Sequence, residues 1–180
     1  MLAGIASWYF AKSFAATLEA TPACGDAGAT PAQTPGPFFK PRSPERKSLR
    51  EEGMEGTPIV IEGHVLSTHC RPVAGALVDF WQADAKGNYD NEGFRLRGHQ
   101  YTDDSGRYRL ETIVPGLYPS RTRHFHVRVQ PPNRAVLTTQ LYFPGEPGNK
   151  RDGIFNPKLV LDLRASGIKT GRFDFVVEAA

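Results

Sequence analysis

The stretch Pro115-Gly-Leu-Tyr-Pro-Ser-Arg-Thr-Arg-His-Phe-His-Val-Arg-Val-Gln130 decides the fold, because its second half alternates between two kinds of side chain. His124, His126 and Arg128 fall on one face of an extended strand. The opposite face is apolar and is expected to point into a core; its residues are Phe125, Val127 and Val129. The two imidazoles then lie about 7 Å apart along the strand, so both rings can reach one metal ion.

A bare His-x-His pair is also compatible with an exposed strand face that carries two surface imidazoles. Here the pair has neighbours that favour a site: Tyr118 and Arg121 precede it on a turn-rich loop, and Tyr89 lies at the tip of an Asn/Asp/Gly-rich loop. Neutral imidazoles suit Fe, Zn, Cu or Ni, whereas phenolate oxygens are hard anionic donors that favour a trivalent ion. The combination therefore indicates a metal site.

Composition indicates a single turn-rich β domain. The chain has 180 residues, of which 39% are hydrophobic, with 15 Pro and 18 Gly. This length allows one domain with a sizeable core. The net charge of +3 comes from scattered Lys and Arg residues, which argues against nucleic acid as a partner.

About seven short strands separated by turns predict an all-β fold, an antiparallel β-sandwich that follows a Pro-rich N-terminal arm. The arm covers residues 21–57 and the sandwich covers 58–180. Two adjacent aromatic residues, Phe38 and Phe39, predict that the arm lies across the folded domain, either as an ordinary packed arm or as a wall of the substrate pocket. The predicted strands are 58–66, 76–82, 107–113, 124–130, 135–143, 159–163 and 172–177. Residues 94–104 are predicted to be irregular, and 144–156 to form a long polar loop.

Two features near the N-terminus stay open. Residues 1–20 are apolar and Ala-rich but are interrupted by Lys12, so no membrane span is expected. They are either the remainder of an export signal or an N-terminal helix, which leaves a periplasmic and a cytoplasmic location both open. Cys24 and Cys70 are either a disulfide that ties the arm to the sandwich, or two separate thiols.

Several motifs in register resemble the intradiol ring-cleavage dioxygenases of the protocatechuate and catechol type. They are Val73–Tyr89 with its Asp-Phe-Trp-Gln-Ala-Asp core, Thr102–Tyr108, Pro115–Pro119, Arg121–His126 and Leu137–Phe143. The resemblance covers roughly residues 30–178 and keeps the motif order. The 34–39 arm is also similar to the protocatechuate-type arm.

The resemblance implies an Fe(III) cofactor and cleavage of a small aromatic diol by O₂ to a cis,cis-muconate-type product. By motif position, it implies four iron ligands: Tyr89, Tyr118, His124 and His126. Tyr118 would also act in catalysis by leaving the metal and taking a substrate proton. Arg121 would stabilise negative charge, and Gln140 would orient oxygen-derived groups. A homo-oligomer is also expected.

The loop between Tyr118 and His124 is shorter than in the larger ring-cleavage enzymes, which leaves substrate selectivity open. A carboxylated catechol would need a cationic partner, for which the candidates are Lys40, Arg95, Arg97 and Arg123. Two other function classes remain: a metal-free transthyretin-like binding module, and a Zn²⁺ or Fe(II) enzyme that adds Asp84 or Asp90 to the histidine pair. The remaining tyrosines, Tyr101, Tyr108 and Tyr142, are expected in the core and not as ligands. Whether the Asp152 loop takes part in oligomer contacts stays open.

Overall fold

Alternating apolar and polar residues build two sheets in the described part of the chain, which comprises residues 24, 28–164 and 167–179 of a computed structural model. The strands are β1 (Pro58–Ser67), β2 (Leu77–Trp81), β3 (Arg97–Tyr101), β4 (Arg107–Ile113), β5 (His124–Gln130), β6 (Leu137–Tyr142), β7 (Asp162–Arg164), β8 (Lys169–Arg172) and β9 (Phe175–Val177). Two short 3-10 helices, Pro147–Lys150 and Pro157–Leu159, follow β6. The predicted β-sandwich is confirmed.

The sheet that carries β5 is antiparallel throughout, in the order β3-β2-β5-β6. Its register places Trp81 of β2 opposite His126 of β5, and His126 opposite Gln140 of β6. These three side chains therefore lie side by side on neighbouring strands. The other sheet has the order β4-β1-β8-β7, with β9 also paired to β1. The first sheet therefore positions the candidate residues, and the second sheet covers its apolar face.

The second sheet differs from the prediction because it is mixed. The sequence predicts one strand over 172–177, but the structure splits this region into β8 and β9, and both run parallel to β1. The break coincides with Asp174, whose Oδ1 accepts the backbone N–H of His64 at 2.9 Å. A side-chain acceptor thus takes the place of a ladder carbonyl. Gly63 lies opposite the break, where a Cβ would collide with the carbonyl of Phe173.

One core joins the two sheets, and the predicted apolar face of β5 points into it. Phe125, Val127 and Val129 are each 0% exposed. They pack in one cluster with residues of the second sheet, including Ile61 and Leu110. Complete burial of a side chain of this size stabilises the fold by about 1.5–3 kcal/mol. This face therefore fixes the register of β5, since a slip by one residue would bury the wrong side chains.

The N-terminal arm crosses the domain, as the Phe38-Phe39 pair predicts. It pairs by isolated bridges with β3 at Glu45 and with β4 at Ser48, and Leu49 is fully buried in the core. Further up the chain, Gln33 donates its N–H to the carbonyl of Thr138 on β6 at 2.8 Å. The arm is therefore a packed part of the domain.

A disulfide joins Cys24 and Cys70, with their Cα atoms 5.6 Å apart, which decides between the two alternatives. The bond closes a loop with a sequence separation of 46 residues. A loop of this length restricts the unfolded chain by about 4 kcal/mol in the chain-entropy account. The interpretations of residues 1–20 lie outside the described residues. Within the described residues, we find no helix that is long and apolar enough to cross a membrane.

Two predictions about the region around β3 were wrong. Residues 94–104 contain β3, an edge strand whose polar side chains hide its periodicity because they fasten the arm. Tyr101 is 47% exposed instead of lying in the core, whereas Tyr108 is buried and donates its hydroxyl to the carbonyl of Phe173 at 2.7 Å.

The segment 144–156 after β6, which was predicted as a loop, contains the 3-10 helix Pro147–Lys150.

Candidate metal centre

Four side chains from three places in the chain meet beside the start of β5. His124 and His126 come from β5, Tyr89 from the loop between β2 and β3, and Tyr118 from the loop between β4 and β5. Their rings form a chain of neighbours: Tyr118 to Tyr89 at 5.9 Å, Tyr89 to His126 at 6.1 Å, and His126 to His124 at 4.7 Å between centroids. The structure thus brings together all four residues that the resemblance implies.

The two histidines face each other through their Nε2 atoms, which are 3.2 Å apart. His124 Nδ1 lies 2.6 Å from the carbonyl oxygen of Thr122. Because a carbonyl only accepts, His124 carries its proton on Nδ1 and a lone pair on Nε2. His126 Nδ1 is buried and has no hydrogen-bond partner among the described residues. A lone pair aimed at a second imidazole nitrogen is the arrangement that a shared cation stabilises.

Burial sets the charge of these groups. Burial lowers the pKa of His124 to about 4, and it lowers the pKa of His126 well below the usual value. Both imidazoles are therefore neutral near pH 7, as metal ligands must be. Burial also raises the pKa of Tyr89, against the opposing effect of the positive charges of Arg121 and Arg97. Tyr89 is consequently a neutral phenol unless a strong positive charge lies beside its oxygen.

Aromatic residues enclose the cluster. Trp81 stacks on His126 with 4.9 Å between centroids and 4° between planes. Phe38 of the arm stacks on Tyr89 at 4.4 Å and meets Tyr118 edge-on at 5.4 Å. These contacts restrict the ring orientations and exclude water, which strengthens electrostatic interactions inside the site.

Gly36 brings the arm close to the histidine pair. Its φ of +67° is a conformation that favours glycine, and a Cβ at this position would lie 3.1 Å from Cε1 of His126. The Pro35-Gly36-Pro37 turn therefore approaches the imidazole more closely than a larger residue would allow. The arm therefore packs directly against the histidine pair.

Arg121 reaches the same end of β5 and is held by two partners. Its Nε donates to Asp152 Oδ2 at 2.9 Å, and its Nη2 donates to Gln140 Oε1 at 2.6 Å. The side chain of Asp152 is 1% exposed and also accepts the N–H groups of Thr122 and Ile154. Burial acts to raise the pKa of Asp152, but these hydrogen bonds and the charge of Arg121 outweigh it and lower the pKa.

Sequence reasoning missed the roles of Asp152 and Tyr142. Tyr142 is buried, as expected, but its hydroxyl and the carboxylate of Asp152 also belong to the network around Arg121. The hydroxyl of Tyr142 bonds to Gln33 Oε1 at 2.6 Å and to the carbonyl of Ile154 at 3.1 Å. The sequence carries no local signal for these roles, because Arg121 lies 31 residues from Asp152 and 21 residues from Tyr142 along the chain.

An open cleft of about 730 Å³ leads from solvent to Tyr118 and Arg121. Its walls come from the loop before β5 and from the Glu146–Arg151 region after β6. Leu117 forms part of the rim and is 56% exposed. A volume of this size accommodates a small aromatic molecule.

Three of the four cationic candidates for a substrate carboxylate are bound to other groups of the protein. Lys40 donates to the carbonyls of Glu92 and Gly93, and Arg97 to those of Phe38 and Asp90. Arg123 is paired with Glu146 at 2.9 Å and donates to the carbonyl of Pro115. Arg95 lines a small separate cavity beside Tyr89. Arg151, which the sequence did not single out, lines the open cleft itself.

The carboxylates of the alternative ligand set are also committed. Asp84 Oδ1 accepts the N–H groups of Lys86 and Asn88, at 2.8 and 2.9 Å. The oxygens of Asp90 accept three backbone N–H groups of the same loop. Within residues 24, 28–164 and 167–179, no three His, Cys, Asp or Glu side chains lie close enough to hold a metal ion. The hypothesis of two histidines and one carboxylate therefore has no support in this geometry.

A β-sandwich with two buried histidines and two half-buried tyrosines at one end matches a family model described as "Dioxygenase" over residues 34–178. With relatives and structural neighbours of the same kind, the match shows that the chain belongs to the intradiol ring-cleavage dioxygenase family. The 6-chlorohydroxyquinol 1,2-dioxygenase of Cupriavidus pinatubonensis is 31% identical over 148 residues, covering 68% of this chain and 54% of the relative. The protocatechuate 3,4-dioxygenase beta chain of Burkholderia cepacia is 37% identical over 118 residues, covering 56% of this chain and 50% of the relative.

A solved structure of nearly the same extent is also similar. The dioxygenase domain of a dioxygenase–carbohydrate-binding protein fusion from Streptomyces sp. SirexAA-E is 53% identical, with a TM-score of 0.83. The match covers 84% of this chain and 99% of that domain. In contrast, the chain spans about half the length of the curated relatives it matches.

Proposed function

We propose that the chain is an Fe(III)-dependent dioxygenase that cleaves a catechol-type diol between its two hydroxyl-bearing carbons to a cis,cis-muconate-type product. The observation that carries the proposal is the buried pair of facing imidazoles, joined by ring contacts to two tyrosines beside Arg121. Family membership supports the reaction type. The Streptomyces domain, which this chain spans almost completely, supports a catalytic unit of this size.

The donor set fits a ferric ion. His124 and His126 would supply neutral nitrogens, and Tyr89 and Tyr118 would supply phenolate oxygens that a trivalent ion favours. The carbonyl of Thr122 fixes the tautomer of His124, as a second hydrogen bond commonly does for a ligating histidine. When bound, ferric iron would lower the pKa of the phenols and of a chelating diol, and would make the diol reactive toward O₂.

The protein groups have separable tasks in this proposal. Tyr118 lines the open cleft and contacts the ring of Tyr89, and in this proposal it would take a proton from an entering diol. Arg121 lines the same cleft and would stabilise negative charge that develops on the oxygens. Phe38 and Trp81 would exclude water from the ring cluster.

We assign Gln140 a positioning task. Its side chain is 0% exposed, its Oε1 accepts from Arg121, and its Nε2 donates to the carbonyl of Thr34 at 3.0 Å. Both ends of the amide are therefore used within the protein. Gln140 would hold the guanidinium of Arg121 toward the cleft and would not contact oxygen-derived groups itself.

The substrate class is proposed from the cleft and the relatives. Curated relatives are named for hydroxyquinol, catechol and protocatechuate, which share an ortho-diol on one ring. An unsubstituted or hydroxylated ring needs no cationic partner, and Arg151 is the cleft residue that could receive a carboxylate. The resemblance also supports a homo-oligomer, which light scattering of the purified chain tests.

The decisive experiment loads the purified chain with ferric iron and measures its visible spectrum, then O₂ uptake with catechol, hydroxyquinol and protocatechuate. The proposal predicts a tyrosinate-to-iron charge-transfer band, a red-brown colour, and uptake of one O₂ per diol with a muconate-type product. A colourless protein that binds Zn²⁺ in preference to iron, or a coloured one that leaves every diol unchanged, would overturn it.

A further inference from the structure

Arg97 is a buried arginine whose hydrogen bonds go to backbone carbonyls of two different segments. It is 2% exposed and lies at the start of β3. Its Nη1 donates to the carbonyl of Phe38 on the arm at 2.6 Å. Its Nε and Nη2 both donate to the carbonyl of Asp90 in the Tyr89 loop, at 3.0 and 2.8 Å. One guanidinium therefore joins the arm to this loop.

The two carbonyls flank a ring contact inside the candidate metal centre. Phe38 carries the ring that stacks on Tyr89 at 4.4 Å, and Asp90 directly follows Tyr89. Arg97 thus holds the backbone on both sides of the Phe38–Tyr89 stack. The backbone of Arg97 is itself held in place, because Arg46 of the arm donates to the carbonyl of Arg97 through Nε at 2.9 Å and through Nη2 at 2.7 Å.

We propose that Arg97 is a positioning residue that clamps the arm to the Tyr89 loop, and that Phe38 thereby fixes the ring of Tyr89 as a metal ligand. The second half of this inference rests on the proposed function, whereas the clamp itself does not. The task suits arginine, because its planar fork reaches two carbonyls in different directions. A lysine ammonium on a flexible stem keeps the charge but not this geometry.

The clamp is tested first in metal-free protein, by hydrogen exchange with mass spectrometry on Arg97→Lys. Peptides that cover 36–40 and 89–94 are expected to exchange together, about tenfold faster than in the parent, the factor that corresponds to one lost charge-assisted hydrogen bond. Arg172→Lys is the matched control. Arg172 is a buried arginine of the second sheet at 7% exposure, and its loss leaves both peptides at the parent rate. Unchanged exchange of both peptides in Arg97→Lys overturns the clamp.

The consequence for the metal is tested with ferric iron in Arg97→Lys, in Phe38→Leu and in the Arg172→Lys control, after thermal melts confirm that each is folded. The charge-transfer band is expected to shift or lose intensity in the first two variants and to stay unchanged in the control. A band that matches the parent in both Arg97→Lys and Phe38→Leu overturns the role in ligand orientation. Absence of any band in the parent refutes the proposed function instead, and the exchange experiment still decides the clamp.

Discussion

The two faces of β5 are both buried, but they are buried in different ways. Phe125, Val127 and Val129 face the second sheet, which lies against them across the core. His124 and His126, at 4% and 2% exposure, are covered by the arm and by loops. The first face depends on strand alternation alone, whereas the second depends on segments that arrive from far away in the chain. One strand thus carries a stability face and a candidate chemical face, and each can be altered separately.

The largest effect is expected from removing a histidine. His124→Ala removes a nitrogen donor from the proposed ligand set, so bound iron should fall to a small fraction of the parent and diol cleavage should be lost. Metal analysis after gel filtration measures this directly. His69→Ala, in an exposed turn, serves as the control and should retain the parent's iron. A His124→Ala protein with full iron content would contradict the ligand assignment.

A substitution on the apolar face of β5 should lower the stability of the fold and leave iron binding unchanged. Phe125→Ala leaves a cavity in the core, and the free energy of unfolding should fall by about 3–5 kcal/mol. Denaturant unfolding measures the loss. At a temperature where the variant is folded, iron bound per folded molecule should remain at the parent level. If iron were lost in proportion to stability, the two faces would not be separable.

Arg121 sharpens the comparison within the chemical face. Arg121→Ala removes the proposed anion-stabilising charge but no metal donor, so iron and its colour should remain while kcat falls about 10²–10³-fold. Arg123→Ala is the control, since Arg123 lies two residues after Arg121 and pairs with Glu146 instead of Asp152. Steady-state O₂ uptake compares the two. Full activity in Arg121→Ala would refute its assigned role.

The lowered pKa of Asp152 predicts that the difference in stability between the parent and Asp152→Asn depends on pH. Its pKa is lowered in the folded protein, so its contribution is present above the ordinary Asp pKa and is lost as the pH falls through the folded value. Asp152→Asn should therefore unfold more easily than the parent near pH 7, by about 1–3 kcal/mol. The difference should shrink below about pH 4. Urea unfolding at several pH values measures it, and a constant difference would contradict the ion pair.

The smallest effect is expected at the outer end of the cleft. Arg151→Gln should raise KM for protocatechuate about three- to tenfold, because an exposed ion pair contributes about 0.2–1 kcal/mol and a directed one somewhat more. KM for catechol should not change, since catechol has no carboxylate. Equal effects on both substrates would mean that Arg151 does not contact the carboxylate.

Sequence alone predicted what depends on local pattern. The period of two in 124–130 predicted both faces of β5, and the five motifs in register pointed to the tyrosines and histidines. The roles of Asp152 and Tyr142 were missed because each depends on a partner distant in sequence. The edge strand β3 was missed because its polar residues, such as Arg97, serve the arm and not the core. The split between β8 and β9 depends on Asp174 replacing a ladder acceptor, which no periodicity reveals.

The disulfide between Cys24 and Cys70 has a consequence for how the arm behaves. Its covalent link encloses the whole crossing segment in a ring with β1, so the arm remains tethered even when its hydrogen bonds open. The return of the arm to its packed position is then an intramolecular event with a high effective concentration, because both ends of the arm stay attached to the domain. After reduction of this bond, a brief local opening would let the arm move away from the histidine pair that it covers.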